Sequence, residues 1–270
     1  GDGSVAAPQV LLWAPFENNI DVDIPEDEVI TVSYDVRVSD SVLANQVLGN
    51  RVVAQWTGRD GLVIERTGID GPGGTPNDYA TAPVVETLTT PDIDTVIIKT
   101  RSTDTFGPAD DDVRIGDIVE YTLTIPVPEG TLGNLVLVDT LPPGLGFEGV
   151  VSINTDTAAP YAAVAPFTYA EIPDTSIVVA GNTVTWTLGD ITNQPNDGSS
   201  DDFIVVYRAR VLNGDVLPQQ DITVLNNSVT MTYQTATGTV TSTDSNSAVI
   251  VLQPDLAVTK SALPDNGDAL

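Results

Sequence analysis

The sequence predicts an all-β protein built from antiparallel β-sandwiches, and three observations support this. Valine, isoleucine and threonine are abundant, and short runs of alternating apolar and polar residues recur along the chain. Gly, Pro, Asn and Asp interrupt these runs often, as turn residues do between strands. No stretch shows the periodicity of a strong amphipathic helix. Many short strands separated by turns are typical of a sandwich.

Composition narrows the function classes. The 270 residues include no cysteine and no histidine, and ten basic residues face 38 acidic ones, for a formal charge of −28. Disulfides and sites of the Ser-His-Asp, Cys-His and zinc-His types are therefore excluded. Strong acidity argues against nucleic acid and anionic membranes as partners. No apolar run is long enough to span a bilayer, so no membrane insertion is expected.

An internal repeat organises the chain. V-L-L-W matches T-V-T-W, V-S-Y-D-V-R-V matches V-V-Y-R-A-R-V, and V-L-G-N-R-V-V matches V-L-N-N-S-V-T. The landmark pairs are Trp13 with Trp186, Tyr34 with Tyr207, Asn50 with Asn227 and Lys99 with Lys260. Recurrence of the aromatic residues within the repeat predicts that they pack in the core.

The order of these matches predicts three segments. Residues 1–90 are expected to form a partial domain that lacks its first strands, and residues 91–253 a complete domain. Residues 254–270 are expected to be the first strand of a next repeat. Alternatively, that strand completes the partial domain of a neighbouring molecule, as in donor-strand complementation.

Five motifs in order carry a family resemblance: G-D-I-V-E-Y-T-L, V-D-T-L-P-P-G-L, V-T-W-T-L-G-D, N-S-V-T-M-T-Y and then D-L-A-V-T-K-S of the following repeat. The chain resembles the bacterial and archaeal cell-surface repeat of unknown function that is related to the isopeptide-forming domains of pilins and adhesins. The resemblance covers 91–253 and, in part, both flanks. It implies tandem Ig-like β-sandwiches in a large surface or filament protein, and it implies no enzyme activity.

The chain contains only two lysines, and both occupy the same position of the repeat. Counting in twos along the strands places Lys99 on the apolar face that holds Ile97, and Asn227 on the face that holds Val229 and Met231. Because the first and last strands of Ig-like sandwiches often lie side by side, Lys99 and Asn227 are expected to meet. A buried, neutral lysine can attack the carboxamide of an asparagine to form an isopeptide bond.

This chemistry needs a carboxylic acid that moves protons. Asp117 is the first choice because it shares a strand face with Val119 and Tyr121, and Asp139, before the L-P-P-G turn, is the second. The alternative interpretation is that the lysine reaches the rim of the sandwich and that the asparagine hydrogen-bonds a turn.

A second crosslink is expected if residues 254–270 are donated to a neighbour. Asn50 shares its predicted core face with Leu48 and Val52, and Lys260 shares its own with Val258. Lys260 of one molecule would then face Asn50 of the next, and a covalent homopolymer would follow.

Acidic loops are candidate Ca²⁺ sites, because calcium takes six to eight oxygen ligands in relaxed geometry. The best two are 108–112 and 196–202; 21–28 and 70–79 are also acidic. The candidate ligands are Asp110, Asp111, Asp112, Asp197, Asp201 and Asp202. None of these loops has EF-hand spacing, and solvated turns rich in Asp, Asn and Gly are the simpler explanation.

We expect a structural subunit of an extracellular filament, surface layer or stalk whose partners are copies of itself. The alternative is a cell-surface adhesin module that binds a glycan or a protein through its loops. An enzyme that uses two carboxylates is the third hypothesis, and no motif supports it.

Overall fold

A computed structural model of the chain describes residues 27–39, 41–57, 78–92, 95–103, 112–194, 198–213, 222–245, 248–252 and 258–261. Apart from one short 3-10 turn (Asp174–Ser176), the regular elements in these ranges are strands. They are β1 (Val47–Val52), β2 (Gln55–Thr57), β3 (Asp78–Ala80), β4 (Val84–Thr89), β5 (Ile98–Thr103), β6 (Asp112–Val113), β7 (Ile118–Val127), β8 (Gly130–Thr140), β9 (Leu145–Ile153), β10 (Phe167–Thr168), β11 (Ile177–Ala180), β12 (Thr183–Asn193), β13 (Asp201–Val211), β14 (Ile222–Leu225), β15 (Ser228–Thr235), β16 (Gly238–Asp244) and β17 (Val249–Leu252).

Two antiparallel sheets form a sandwich. One has the strand order β10–β12–β8–β15–β16, with β11 also paired to β12, and the other has the order β5–β7–β13–β9. Their inner faces share one hydrophobic core. The predicted all-β, Ig-like sandwich class is confirmed.

Alternation of apolar and polar residues determines which faces meet. Burial alternates strictly along β7 and β15, as expected for strands with one face against a core. Trp186 and Tyr207, both fully buried, bring the two sheets together with ring centroids 5.2 Å apart. Tyr207 also stacks on Tyr121 of the neighbouring strand at 5.2 Å.

The strands at the end of the repeat form one long hairpin. β15 pairs with β16 and β14 pairs with β17, both antiparallel, in registers that differ by one residue. β17 also pairs in parallel with β6, which lies just before β7. This arrangement brings the last strands of the repeat close to its first strands.

The amino-terminal segment contains a similar hairpin. β1 pairs with β4 and β2 pairs with β3, both antiparallel. In contrast to β15 and β16, nearly every side chain of β1 and β4 is exposed. Ala44 is buried, and its carbonyl accepts a hydrogen bond from the Ala236 amide (2.9 Å), which ties this segment to the sandwich. The predicted boundaries after residues 90 and 253 stay predictions.

Candidate functional site

Lys99 lies on the buried face of β5. Thr95, Ile97 and Lys99 are buried, whereas Val96 and Ile98 between them are exposed. The side chain of Lys99 is only 2% exposed, so the face predicted by alternation is the one observed. An ammonium group in such a position needs a partner, because burial without one is costly.

Asp139 is that partner. It lies near the end of β8, its side chain is fully buried, and its Oδ2 accepts a hydrogen bond and ion pair from Lys99 Nζ. Lys99 Nζ also lies 4.8 Å from the ring centroid of Tyr121 and 5.7 Å from that of Tyr207. The faces of these rings favour a cation.

Asn227 completes the group. It is fully buried just before β15, whose Val229 pairs with Asp139 across the sheet. Its Nδ2 donates a hydrogen bond to the Tyr207 hydroxyl (2.9 Å). Asn227 also helps to lower the pKa of the Asp139 carboxyl, which places the two side chains near each other. Asp139 therefore connects the lysine to the asparagine.

Burial favours the uncharged forms of both partners in the ion pair. Desolvation lowers the pKa of Lys99 to about 8, although the neighbouring Asp139 opposes the shift. Desolvation raises the pKa of Asp139, although Lys99, Tyr207 and Asn227 oppose it. Both pKa shifts act toward an uncharged amine next to a protonated acid, the state that amide formation requires.

The main chain of β5 is held by side chains of β16. The Lys99 amide donates to Asp244 Oδ2 (2.8 Å), and the Ile97 amide donates to Ser242 Oγ (3.2 Å). β5 thus pairs with β7 through its backbone and is fastened on the other side by two side chains. This arrangement fixes the position of Lys99 relative to the hairpin that follows Asn227.

The structure reverses the predicted order of the two acids. Asp117 precedes β7 in a turn, and its carboxylate accepts a hydrogen bond from the Arg114 amide (2.8 Å) at the surface. It does not lie beside Lys99. The counting failed because the strand begins only at Ile118, after Gly116 with φ of +95°, so alternation does not extend back to Asp117.

Asn50 and Lys260 are exposed, contrary to the prediction that each lies on a core face. In the described part of the chain, no second sheet covers β1, and Val258 beside Lys260 is 92% exposed. Asn50 nevertheless donates a hydrogen bond through Nδ2 to the Tyr34 hydroxyl (2.6 Å). Tyr34, predicted to lie in a core, is 40% exposed.

The predicted calcium ligands are only partly described. Asp110, Asp111 and Asp197 lie outside the described residues, and Asp112 is described only as part of β6. Asp201 and Asp202 begin β13, where they pair with Val127 and Pro126. The described residues contain no group of three or more acidic side chains placed to hold a metal ion. Calcium binding stays a prediction.

Sequence reasoning missed the roles of Tyr207, Tyr121 and Asp244. The sequence contained a signal for Tyr207, because the repeat matches Tyr34 to Tyr207 and Asn50 to Asn227. In the structure, Asn50 hydrogen-bonds Tyr34 and Asn227 hydrogen-bonds Tyr207. The sequence contained no signal for Asp244, since its hydrogen bond to the Lys99 amide depends on how β16 lies against β5.

Comparisons with known proteins give structural neighbours only. No protein family and no curated protein matches the sequence. Solved structures that are similar include a major pilin subunit of Bacillus cereus (13% identity, TM-score 0.35, 76% of this chain and 65% of that chain). Others are a backbone pilin of Streptococcus pyogenes (15%, 0.36, 68% and 41%) and the N-terminal domain of a Streptococcus gordonii adhesin (18%, 0.33, 65% and 37%).

The chain spans less than two thirds of the length of each of these proteins. No membrane-spanning helix is found among the residues that the structure describes.

Proposed function

We propose that this chain is a structural segment of an extracellular filament or cell-surface protein, and that an isopeptide bond from Lys99 Nζ to Asn227 Cγ locks its sandwich. The observation that carries the proposal is the buried lysine–aspartate pair next to a buried asparagine, which lies two residues before the strand partner of Asp139. A pair of charges in a core is weak support for stability alone, because its desolvation offsets its attraction. Formation of an isopeptide bond, in contrast, requires a buried lysine with a carboxylic acid and an asparagine beside it.

Each residue has a defined part in the reaction. The uncharged Lys99 amine attacks Cγ of Asn227, while Asp139 polarises the amide carbonyl. Asp139 then carries a proton from the lysine nitrogen to the leaving amide nitrogen. The new carbon–nitrogen bond joins the side chains, the bond to the asparagine nitrogen breaks, and one ammonia is released. No oxidant, metal or cofactor takes part.

The bond suits a protein that bears load. Lys99 lies on β5, at the edge of the β5–β7–β13–β9 sheet. Asn227 directly precedes the β15–β16 hairpin of the other sheet. A covalent link between them ties the beginning of the repeat to its end across the sandwich. Copies of the chain then assemble by strand addition, and no nucleic acid is bound.

High-resolution mass spectrometry of the intact protein and its peptides tests the proposal. We expect the loss of one ammonia and a branched peptide that joins Lys99 to Asn227. Lys99→Arg should show the mass calculated from its sequence, without loss of ammonia, since arginine keeps the charge but is not a nucleophile here. Lys260→Arg is the matched control and should leave the branch intact. An unmodified wild-type mass would remove the crosslink from this account.

The adhesin alternative requires aromatic side chains exposed on loops at one end of the sandwich. In the described loops, Tyr161 is buried, and the Tyr169 hydroxyl donates to the Ala162 carbonyl (2.8 Å). The buried site is the stronger feature, so the structural role is preferred.

A further inference from the structure

The amino-terminal hairpin repeats the acceptor half of the buried site. Asn50 Nδ2 donates to the Tyr34 hydroxyl at 2.6 Å, and Asn227 Nδ2 donates to the Tyr207 hydroxyl at 2.9 Å. Asn50 lies within β1, which pairs with β4, and Asn227 lies just before β15, which pairs with β16. The difference is coverage, because the second pair is buried and the first is exposed.

A carboxylate also lies next to Asn50. Glu86 of β4 is directly opposite Asn50 of β1 in the antiparallel register, which puts both side chains on one face. In the sandwich, Asp139 likewise belongs to a strand that pairs with the strand following the asparagine. The chain therefore places a carboxylate on a strand neighbouring each asparagine.

Within the described residues, the face around Asn50 and Glu86 carries exposed apolar side chains. Val52 and Val84 are opposite each other on it, and they are 52% and 54% exposed. Leu88 on the same face is 57% exposed. We call these three residues with Asn50 and Glu86 the open face.

The segment 258–261 has the properties of a strand that would cover this face. It carries Lys260, which matches Lys99 of β5 in the repeat, and both Lys260 and Val258 are exposed. Lysine complements the charge of Glu86, and Lys99, the other lysine of this chain of charge −28, is already buried with Asp139. In the described part of the chain both the open face and this segment are exposed, so a second copy is the fitting source.

We propose that the open face is a second, intermolecular crosslinking site, in which Asn50 accepts Lys260 of another copy and Glu86 transfers the proton. The proposal rests on the proposed function, since it uses the same chemistry. The Lys260 amine attacks Asn50 Cγ, Glu86 carries a proton from that amine to the leaving nitrogen, and ammonia is released. Tyr34 positions Asn50 through the hydrogen bond to its amide nitrogen.

The test uses the full chain incubated over a range of concentrations. Denaturing gels, intact masses and peptide maps are recorded for wild type, Lys260→Arg, Asn50→Ala, Glu86→Gln and Lys99→Arg. We expect a denaturant-resistant ladder that grows with concentration, with a Lys260–Asn50 branch between copies. Lys260→Arg and Asn50→Ala should abolish the ladder, and Glu86→Gln should slow it at least tenfold. The first three substitutions are at exposed positions, so folding should be retained.

Each of the two crosslinks can be removed without the other. Lys99→Arg should remove the Lys99–Asn227 branch and keep the ladder, whereas Lys260→Arg should do the reverse. A Lys99–Asn227 branch in chains that stay monomeric at every concentration would overturn this inference and leave the first proposal standing. A Lys260–Asn50 branch within a monomer, or a ladder that survives Asn50→Ala, would also overturn it.

Discussion

Lys99 is a residue whose burial changes its chemistry. An exposed lysine is protonated at neutral pH, but desolvation brings the pKa of Lys99 down to about 8. The same environment raises the pKa of Asp139, so each partner is pushed toward its neutral form. Their hydrogen bond keeps them together in either state. The pair is thus held where a nucleophile and a proton carrier are needed.

The ion pair can be tested apart from the crosslink in an Asn227→Ala background, where no bond can form. There, Asp139→Ala should lower the free energy of unfolding by about 3 kcal/mol, because it leaves a buried ammonium without its partner. Lys99→Met combined with Asp139→Leu should recover most of this loss. Denaturant titration measures both, and Asp117→Ala is the control, with a loss of about 1 kcal/mol for one exposed hydrogen bond. Equal losses for the two aspartates would contradict the assignment.

The rate of bond formation should depend on pH through Lys99. Because its pKa in the fold is lowered to about 8, the amine is mostly protonated below that pH and mostly neutral above it. Protein refolded at pH 5 and then shifted to a series of pH values should lose ammonia fastest between the pKa values of Asp139 and Lys99, because the reaction needs a neutral amine beside a protonated acid. The rate should therefore pass through a maximum and fall on both sides. A rate that keeps rising at high pH would show that no protonated acid is needed.

At the scale of elements, β5 is positioned from two sides. Backbone hydrogen bonds join it to β7, and the side chains of Asp244 and Ser242 on β16 accept hydrogen bonds from the amides of Lys99 and of Ile97, which directly precedes β5. These contacts link the two sheets at the edge where the crosslink is proposed. Side-chain hydrogen bonds can therefore hold the edge strands of the two sheets together where backbone pairing does not.

Removing this fastening should loosen β5 without touching the reacting atoms. Asp244→Ala should cost about 1–3 kcal/mol, since a buried amide loses a charged acceptor. Hydrogen exchange at the Lys99 amide should accelerate, and the pKa of Lys99 should fall further, because the Asp244 charge that raises it is lost. Thr241→Ala on the exposed face of β16 is the matched control and should change neither. Unchanged exchange in Asp244→Ala would mean that β7 alone holds the strand.

At the scale of the whole molecule, the proposed bond closes a loop of 227 − 99 = 128 residues. A crosslink over such a length restricts the unfolded chain, which is worth about 5 kcal/mol in the chain-entropy account. It also removes the enclosed segment from any extension under force. Most of the sandwich lies within that segment, so the bond would stabilise the whole fold against unfolding.

Single-molecule pulling should show this directly. Wild type should lack the contour length of the enclosed segment, roughly 430 Å at about 3.4 Å per residue. Asn227→Ala should release that length and should also unfold at a lower temperature in calorimetry. Lys260→Arg, which leaves the internal bond in place, should match wild type in both measurements. Full extension of the wild-type chain would be inconsistent with the bond.

The sequence by itself determined the fold class and half of the site. Alternation along 95–99 and 225–233 placed Lys99 and Asn227 on buried faces, because side chains on a strand that packs against a core must alternate. The repeat also matched Tyr34 to Tyr207 and Asn50 to Asn227, and in the structure each tyrosine accepts a hydrogen bond from the asparagine of its own repeat. These properties are local or periodic, so a linear pattern can carry them.

Only the tertiary structure decided which acid joins the lysine and which asparagine is covered. Asp139 rather than Asp117 meets Lys99, because β8 pairs with β15 while the chain before Ile118 turns at Gly116. Asn50 is exposed and Asn227 buried, although their sequence contexts match, because a second sheet lies over only one of the two hairpins in the described residues. Alternation states which side chains share a face, but the packing of one sheet on another determines what that face meets.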